Sequence, residues 1–533
     1  MTKPVIGLDF GNYNSFTCYI SDFDDGTKMG GIVHDLLPQG LNDGIPSVFF
    51  YSKKIGTLCG ENAVRNRAKP VENRVRYLKR HLGEKMTLDG GDTTIPYDEA
   101  ITEVIQHCVR KANEQLKSGY QVTTNLISLS YPVTYSFAQR QRLIELAEKA
   151  TLADGTRVKV YGTIAEPAAA ALDYLAEFSK STKDTTVLVY DLGGGTFDLA
   201  LVSAYPGGKR NSSGDLYYYD VIDNGGLAKV GGVEFDEIMF DLLAKKFNVP
   251  LKPAYKNILR TLAETVKIDL SSDEYAEPEL LDNGEYLTAE ITRSEFEAAS
   301  KDLLMKTIRA TKEILDDHPN QQPEFILLTG GASQMPMVQR ELEAQLPNFK
   351  GKIKYFRPSR AIAYGAARFG TSEGNPDPVR KTSIVQQRTS YDLGIRFFVP
   401  GTDKEFIKTY IKAGTPIPYT GDYDSSETRR EKQRYSLFSV HEAIKAHPDE
   451  NKVNEDYREI MSVTLDHEIE VPKGTKSESR LMIDKLGILT VEAREMDKPG
   501  KPPIKKSIEL KNLSQLRKDI NMNKEENSVS YIF

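Results

Sequence analysis

The chain is poor in the groups that build metal sites and cross-links. Its three cysteines, Cys18, Cys59 and Cys108, lie far apart with no Cys-x-x-Cys, which argues against a disulfide framework and a thiolate zinc site and leaves buried, reduced thiols as the expectation. The seven histidines are scattered and no His-Glu-x-x-His occurs, so an imidazole-held metal is not expected. No apolar run approaches the roughly 18 residues that a membrane helix needs, and no membrane partner is expected. The opening residues MTKPVIGLDFG have neither a signal-peptide nor a transit-peptide pattern, so the expected location is cytoplasmic. Basic excess is absent too: the net charge is −6, and nucleic acid is not an expected partner. A local exception, Lys498 to Lys518, sets Lys501, Lys505, Lys506, Lys511 and Arg517 against Glu509 alone and reads as a solvated tail. No GxxxxGK[ST] occurs, so the chain is not a P-loop protein.

What is present is length and alternation. A chain of 533 residues is too long for one core, and roughly two to four domains are expected. Residues 1–372 alternate strand-like and helix-like patterns, the mark of an α/β domain. NLISLSYP and TTVLVYDLGGGTFDLALV read as buried strands. YDEAITEVIQHCVRKANEQL reads as a helix, with Ile101, Val104, Ile105, Cys108, Ala112 and Leu116 on one face. A second helix opens at Glu166 with Pro167 at an early position. Residues 373–389 lose all period and read as a linker. Residues 390–512 carry short strand patterns punctuated by Gly and Pro and read as a β-rich domain. The polar tail, 513–533, is expected to form one short helix or none.

Two hairpin patterns recur in the first domain, IGLDFGNYNSFTCYI and VYDLGGGTFDLALV. Each runs apolar strand, Asp, Gly turn, apolar strand, which suggests a duplicated domain with a cleft between its halves. Gly193, Gly194 and Gly195 in a row can present backbone N–H groups to phosphate oxygens without a Cβ in the way, and Thr196 adds a hydroxyl. Asp9 and Asp191 end apolar strands. Two such acids facing one cleft suit Mg²⁺, which takes one or two carboxylates with waters and phosphate oxygens. That combination predicts a nucleoside triphosphate. Gly330 and Gly331 follow another apolar strand, either as a close approach to a nucleoside or as a plain turn.

In order and spacing, the first hairpin, YPVTYSFAQRQ, EPAAAALDYL, YDLGGGTFDLALV, VGGVEFD, AETVKIDLSS and LLTGGASQMPMVQ resemble the heat shock protein 70 (DnaK-type) chaperone family. DLGIRFF, IKAGTPIP and DKLGILTVEA resemble that family's β-domain. The resemblance implies an actin-like ATPase domain of two lobes, with a duplicated ribonuclease-H-like core, followed by a substrate-binding-type β-sandwich. It implies ATP or ADP with Mg²⁺, and K⁺ as a further cation. Asp9, Asp191, Lys79 and Glu166 would be catalytic, with Asp9, Asp191 and Asp198 serving the metal. Gly11, Asn12, Tyr13, Asn14, Gly193, Gly194, Gly195 and Thr196 would meet the phosphates. Gly231, Gly232, Glu264, Lys267, Ile268, Ser271, Gly330, Gly331, Ala332, Ser333 and Gln334 complete the nucleotide set. Pro132 would pass the nucleotide state outward. Phe406, Ile407, Leu437 and Phe438 are the candidate peptide pocket. The implied partners are a polypeptide client or one dedicated protein, with a J-domain-type co-chaperone.

The chain departs from the family pattern at several places. Asn12 and Tyr13 stand where threonine hydroxyls are usual, so hydrolysis is expected to be slow or altered. Ile268 and Gln334 replace adenine-stacking arginines. Ile384 and Val385 alone occupy the place of the linker's leucine run, and the residues after Leu513 are too few for a helical lid. The stretch between Gly83 and Tyr131 is short, which implies a reduced outer subdomain. The expected function is an ATP-hydrolysing, chaperone-like protein. The alternative is a nucleotide-gated scaffold or pseudo-ATPase with little turnover, and a filament-forming actin relative and a small-molecule kinase are weaker readings.

Overall fold

The computed structural model describes residues 4–21, 32–65, 73–88, 92–178, 183–211, 214, 216–249, 253–282, 284–374, 385–445, 447–496, 503–507 and 529–531. Packing divides the chain into two units. The first comprises residues 1–134 and 149–385; the second comprises 135–148 and 386–533. Most of the linker pattern, including Ile384, and most of the basic stretch from Lys498 lie outside the described residues.

The first unit is built on two sheets of the same plan. One contains β1 (Ile6–Asp9), β2 (Asn14–Ser21), β3 (Ile32–Asp35), β4 (Leu126–Tyr131) and β5 (Lys159–Ala165), in the order β5-β4-β1-β2-β3. The other contains β6 (Thr185–Leu192), β7 (Thr196–Arg210), β8 (Leu216–Ala228), β9 (Phe325–Thr329) and β10 (Ile353–Tyr355), in the order β10-β9-β6-β7-β8. In each, the strand that carries the motif aspartate at or next to its last position lies parallel to two later strands and antiparallel to its hairpin partner. The loose sequence repeat is therefore a repeat of topology and polarity. β1 and β6 are buried on both faces, as their unbroken apolar runs require.

The helix α1 (Tyr97–Tyr120) buries the face read from its spacing: Ile101, Val104, Ile105, Cys108, Ala112 and Leu116. Two helices occupy equivalent places in the repeat, α2 (Glu166–Phe178) after β5 and, after β10, a helix at Ala361–Gly374. They pack on each other so closely that a Cβ on Gly365 would lie 1.8 Å from the Ala169 carbonyl oxygen. Their contact is pinned by Asp173, fully buried, which accepts from Arg368 Nε and Arg357 Nη1, each at 3.0 Å. Three further helices, α3 (Gly232–Phe247), α4 (Pro253–Ser272) and α5 (Arg293–Asp317), contribute Phe235, Met239, Leu259 and Leu304 to the core beneath the second sheet. The three cysteines are buried and unpaired.

The second unit is a β-domain: β11 (Leu393–Phe398), β12 (Glu405–Ile411), β13 (Asp424–Thr428), β14 (Gln433–Ala443), β15 (Tyr457–Val471), β16 (Lys476–Ile483), β17 (Leu489–Glu495), β18 (Ile504–Ser507) and β19 (Val529–Tyr531). Its core includes Ile395, Phe397, Phe438, Val440, Leu481 and Val491. Residues 135–148 pack with this unit: Phe137 joins its core, its N–H donates to Glu442 at 3.3 Å, and Arg140 donates to Ser390 Oγ at 3.0 Å. The strand β19 lies in the stretch read as a polar tail. Three residues, Val529, Ser530 and Tyr531, are too short a β pattern to stand out of that composition.

Candidate functional site

Four acids and one lysine from different elements share a buried cluster in the first unit. Asp9 ends β1, Asp191 lies near the end of β6, and Asp198 sits opposite Asp191 on β7. Glu166 opens α2, and Lys79 lies on the short turn Leu78–His81. All five are less than a tenth exposed. Lys79 Nζ donates to Glu166 Oε1 in a buried ion pair. Ser130 Oγ donates to Asp9 at 3.1 Å, and the Val133 N–H donates to Asp198 Oδ1 at 2.8 Å.

Burial sets the electrostatics. It pushes the Asp9 carboxyl up to about 7, with Glu166 adding to the rise and Lys79 opposing it. It also pushes Asp198 up to about 7, again with Glu166 adding, and carries Asp191 well above the usual carboxylate range, with Glu166, Asp198 and Asp9 adding. Burial alone would lower the Lys79 amine, but Glu166, Asp9 and Asp198 hold it above its ordinary value. Among the described residues one cation, Lys79, faces these four carboxyls, and a second cation would relieve what remains. Asp191 Oδ1 and Asp198 Oδ2 are buried without a hydrogen-bond partner among the described residues. Unpartnered hard oxygens fit a hydrated divalent ion, although among the described residues no three His, Cys, Asp or Glu side chains are grouped to hold a metal unaided.

The glycines of the second hairpin are closely approached. A Cβ on Gly231 would lie 2.8 Å from Gly195 N, and the N–H groups of Gly232 and Val233 donate to the Gly193 and Gly194 carbonyls at 2.9 Å. Gly330, at φ +81°, brings its backbone against Asp191: a Cβ there would stand 2.5 Å from Asp191 Oδ1. Thr196 begins β7. Gly11 makes the first hairpin's tight turn, its Cβ position lying 2.1 Å from the Asn14 carbonyl oxygen.

The two residues that break the family pattern lie against these glycines. A Cβ on Gly194 would lie 2.3 Å from Tyr13 Cδ2, and one on Gly195 would lie 2.3 Å from Asn12 Nδ2. The Tyr13 hydroxyl donates to Asp236 on α3, and its ring meets Tyr77 edge-on at 5.1 Å. Burial, with Asp236 and Tyr77 beside it, keeps this phenol protonated, its pKa far above the usual tyrosine range. Lys267 donates to the other Asp236 oxygen at 2.5 Å, with its ammonium 5.8 Å from the Tyr13 ring centre. Asn12 Oδ1 is buried and has no hydrogen-bond partner among the described residues.

The other predicted residues spread around this core. Ser271 Oγ donates to the Lys267 carbonyl at 3.3 Å, Ser333 Oγ to Gly330 O at 2.6 Å, and Gln334 to Gly331 O at 3.4 Å. Ala332 is buried, whereas Ile268 is 57% exposed on α4. Glu264 accepts from Arg76 at 3.1 Å. Pro132 is buried directly before Val133. Sequence reasoning missed Asp236 and Ser130, and also Arg80, which donates to Glu234 and to the Gly195 carbonyl. Asp236 and Glu234 were visible in VGGVEFD, and Arg80 neighbours Lys79, but nothing local marks their partners. In the β-domain, Ile407 and Phe438 are fully buried and Phe406 nearly so. They pack in apolar clusters, and of the four pocket candidates Leu437 keeps partial exposure.

A protein-family model described as Hsp70 protein matches residues 5–530.

Proposed function

The chain belongs to the Hsp70 family of nucleotide-binding chaperones, whose members are generally ATPases, and on that footing we propose that its first unit binds ATP with Mg²⁺ and hydrolyses it slowly. In this reading residues 1–372 form a two-lobed, actin-like ATPase domain, and 390–512 form the domain that binds an extended polypeptide. The observation that carries it is the Lys79–Glu166 pair set among Asp9, Asp191 and Asp198.

Asp9, Asp191 and Asp198 would hold the magnesium ion through water, and the ion would supply neutralisation of phosphate charge. Lys79 has the charge to meet a γ-phosphoryl group, and Glu166 fixes where its ammonium points. The Gly193 N–H closes the turn by donating to the Thr196 carbonyl at 3.1 Å, so Gly194 and Gly195 would provide the backbone donors, and Asp191 Oδ1 and Asp198 Oδ2, unpartnered among the described residues, would orient an attacking water. No side-chain nucleophile is required. Lys267, Ser271, Gly331, Ser333 and Gln334 would flank the nucleoside. Nucleotide state would leave through Pro132 and Val133, the latter bonded to Asp198, into residues 135–148, which pack with the second unit. A J-domain-type partner and polypeptide clients follow from the family reading.

One observation favours the second reading, a nucleotide-gated scaffold with little turnover. Tyr13 and Asn12 pack on the glycines that would cradle phosphate, and Tyr13 is held there by Asp236. Calorimetric titration of ATP with Mg²⁺ tests the binding site: Asp191→Asn is expected to weaken Mg·ATP binding at least tenfold. Equal binding by wild type and variant would refute the assignment. Release of a fluorescent peptide on ATP addition tests the coupling.

A further inference from the structure

β19 fills a one-strand gap in the β-domain. Sheet order runs β14-β11-β19-β13-β16, so Val529–Tyr531 stands between β11 and β13. Ser530 pairs in parallel with Phe398 on one side. On the other side Val529, Ser530 and Tyr531 pair antiparallel with Thr428, Glu427 and Ser426. An extended segment placed this way meets a backbone edge on both sides, and such recognition needs no particular side chain.

The hold on β19 is slight. It is three residues long, and each backbone hydrogen bond is worth little net of the water it displaces. What keeps it in place is the tether. Twenty-one residues, 508–528, separate β18 from β19, and a tether of that size gives an effective concentration on the order of 1 mM at most. A segment so held is exchangeable for another extended chain at ordinary concentrations.

The ends of the slot differ from an open edge. Phe398 and Thr428 lead directly into the loops 399–404 and 429–432, and Arg429 joins those loops by donating to Thr402 O and Asp403 Oδ1, each at 2.8 Å. Its guanidinium lies 3.7 Å from the Phe398 ring centre. The slot is thus bounded by a charged clasp beside the residue that pairs with Ser530.

We propose that Val529–Tyr531 is a resident, exchangeable strand that competes intramolecularly with an extended polypeptide for the slot between β11 and β13. This deepens the polypeptide-binding reading above and rests on it. The tail sets how tightly the β-domain takes a client, and its displacement accompanies client binding.

The test is fluorescence anisotropy with a labelled NSVSYIF peptide, residues 527–533, titrated with the full chain and with a chain ending at Glu526. The shortened chain is expected to bind at least about tenfold more tightly, because the tethered competitor is gone. Full-chain Ser530→Pro, which loses a ladder N–H at the same strand, is expected to match it. Equal binding by full and shortened chains, or no binding to either, overturns the proposal. An unrelated apolar heptapeptide in parallel separates the two claims: if it binds both chains equally while NSVSYIF binds neither, client binding stands and the resident strand falls. If NSVSYIF alone binds, the resident strand stands and general client binding falls. Hydrogen exchange on the unmodified protein gives a reading independent of any variant: the amides of 529–531 are expected to lose protection while NSVSYIF is present in excess of the tail's effective concentration, and full exposure of these amides before any peptide is added contradicts a resident strand.

Discussion

Tyr13, at the tip of the first hairpin, donates its hydroxyl to Asp236 on α3, 223 residues further along the chain. The bond ties a residue of the first hairpin's turn to the carboxylate that also holds Lys267. It places a bulky ring on Gly194, where the turn would otherwise offer bare backbone. A nucleotide that uses both hairpins has to compete with this contact.

Removing the tether should therefore ease binding. A hydrogen bond to a charged group contributes roughly 1.5–3 kcal/mol, of which a bound nucleotide recovers part. Tyr13→Phe is expected to bind ATP about tenfold more tightly, measured by calorimetry. Unchanged affinity would mean that nucleotide binding does not displace the Tyr13–Asp236 bond.

The Gly194 contact makes a second, separable prediction. Gly194→Ala drives a Cβ into the Tyr13 ring and should cost about 1–3 kcal/mol of stability. Tyr13→Ala combined with Gly194→Ala should recover most of that loss in thermal or urea unfolding. Additive losses in the double variant would contradict the packing described.

Asp173 joins the two equivalent helices through Arg357 and Arg368. Asp173→Ala strips Arg368, itself 4% exposed, of a buried partner, and breaking such a pair costs about 3–5 kcal/mol. The unfolding transition of the first unit should fall markedly. A shift no larger than that of a surface substitution would show that the pair carries little.

The first turn of α5 supplies a pH test. Thr292 and Glu295 form a capping box, and Lys246 bonds the same carboxylate. The Lys246 and Thr292 bonds depress the Glu295 carboxyl to about 2 from an ordinary 4.5. A depressed acid stabilises the fold above its unfolded pKa and loses that contribution as pH falls through its folded value. The difference in hydrogen exchange at this helix start between wild type and Glu295→Ala should be constant above pH 4.5. It should shrink steadily towards pH 2, and a pH-independent difference would contradict the assignment.

Much of this architecture could be read from local pattern. The face of α1, the start of α2 at Glu166 and the two aspartate hairpins follow from period and turn chemistry within short windows. The proposed site was legible because Asp9, Asp191, Lys79 and Glu166 each fall where the chain resembles the family. What escaped is pairing across distance: nothing near Tyr13 announces Asp236, and nothing near Arg80 announces Glu234. The β-domain candidates show the converse limit. Phe438 and Ile407 stand among the candidate peptide-pocket residues, yet both are fully buried: a strand buried on one face uses such residues for its core, and alternation alone does not say which face a ligand meets. β19 was hidden because backbone pairing, which reads no side chain, positions it.

The buried cluster around Lys79 is proposed to hydrolyse ATP. Single-turnover hydrolysis of Mg·ATP by wild type and Lys79→Ala, with ATP binding measured on both, tests it most directly. The account predicts slow but measurable turnover by wild type, a loss of about 100-fold or more in the variant, the order expected for removing one charge-stabilising donor, and ATP binding within about tenfold of wild type. ATP bound by both proteins but hydrolysed no faster by wild type than by Lys79→Ala would contradict the claim and leave the scaffold reading in its place.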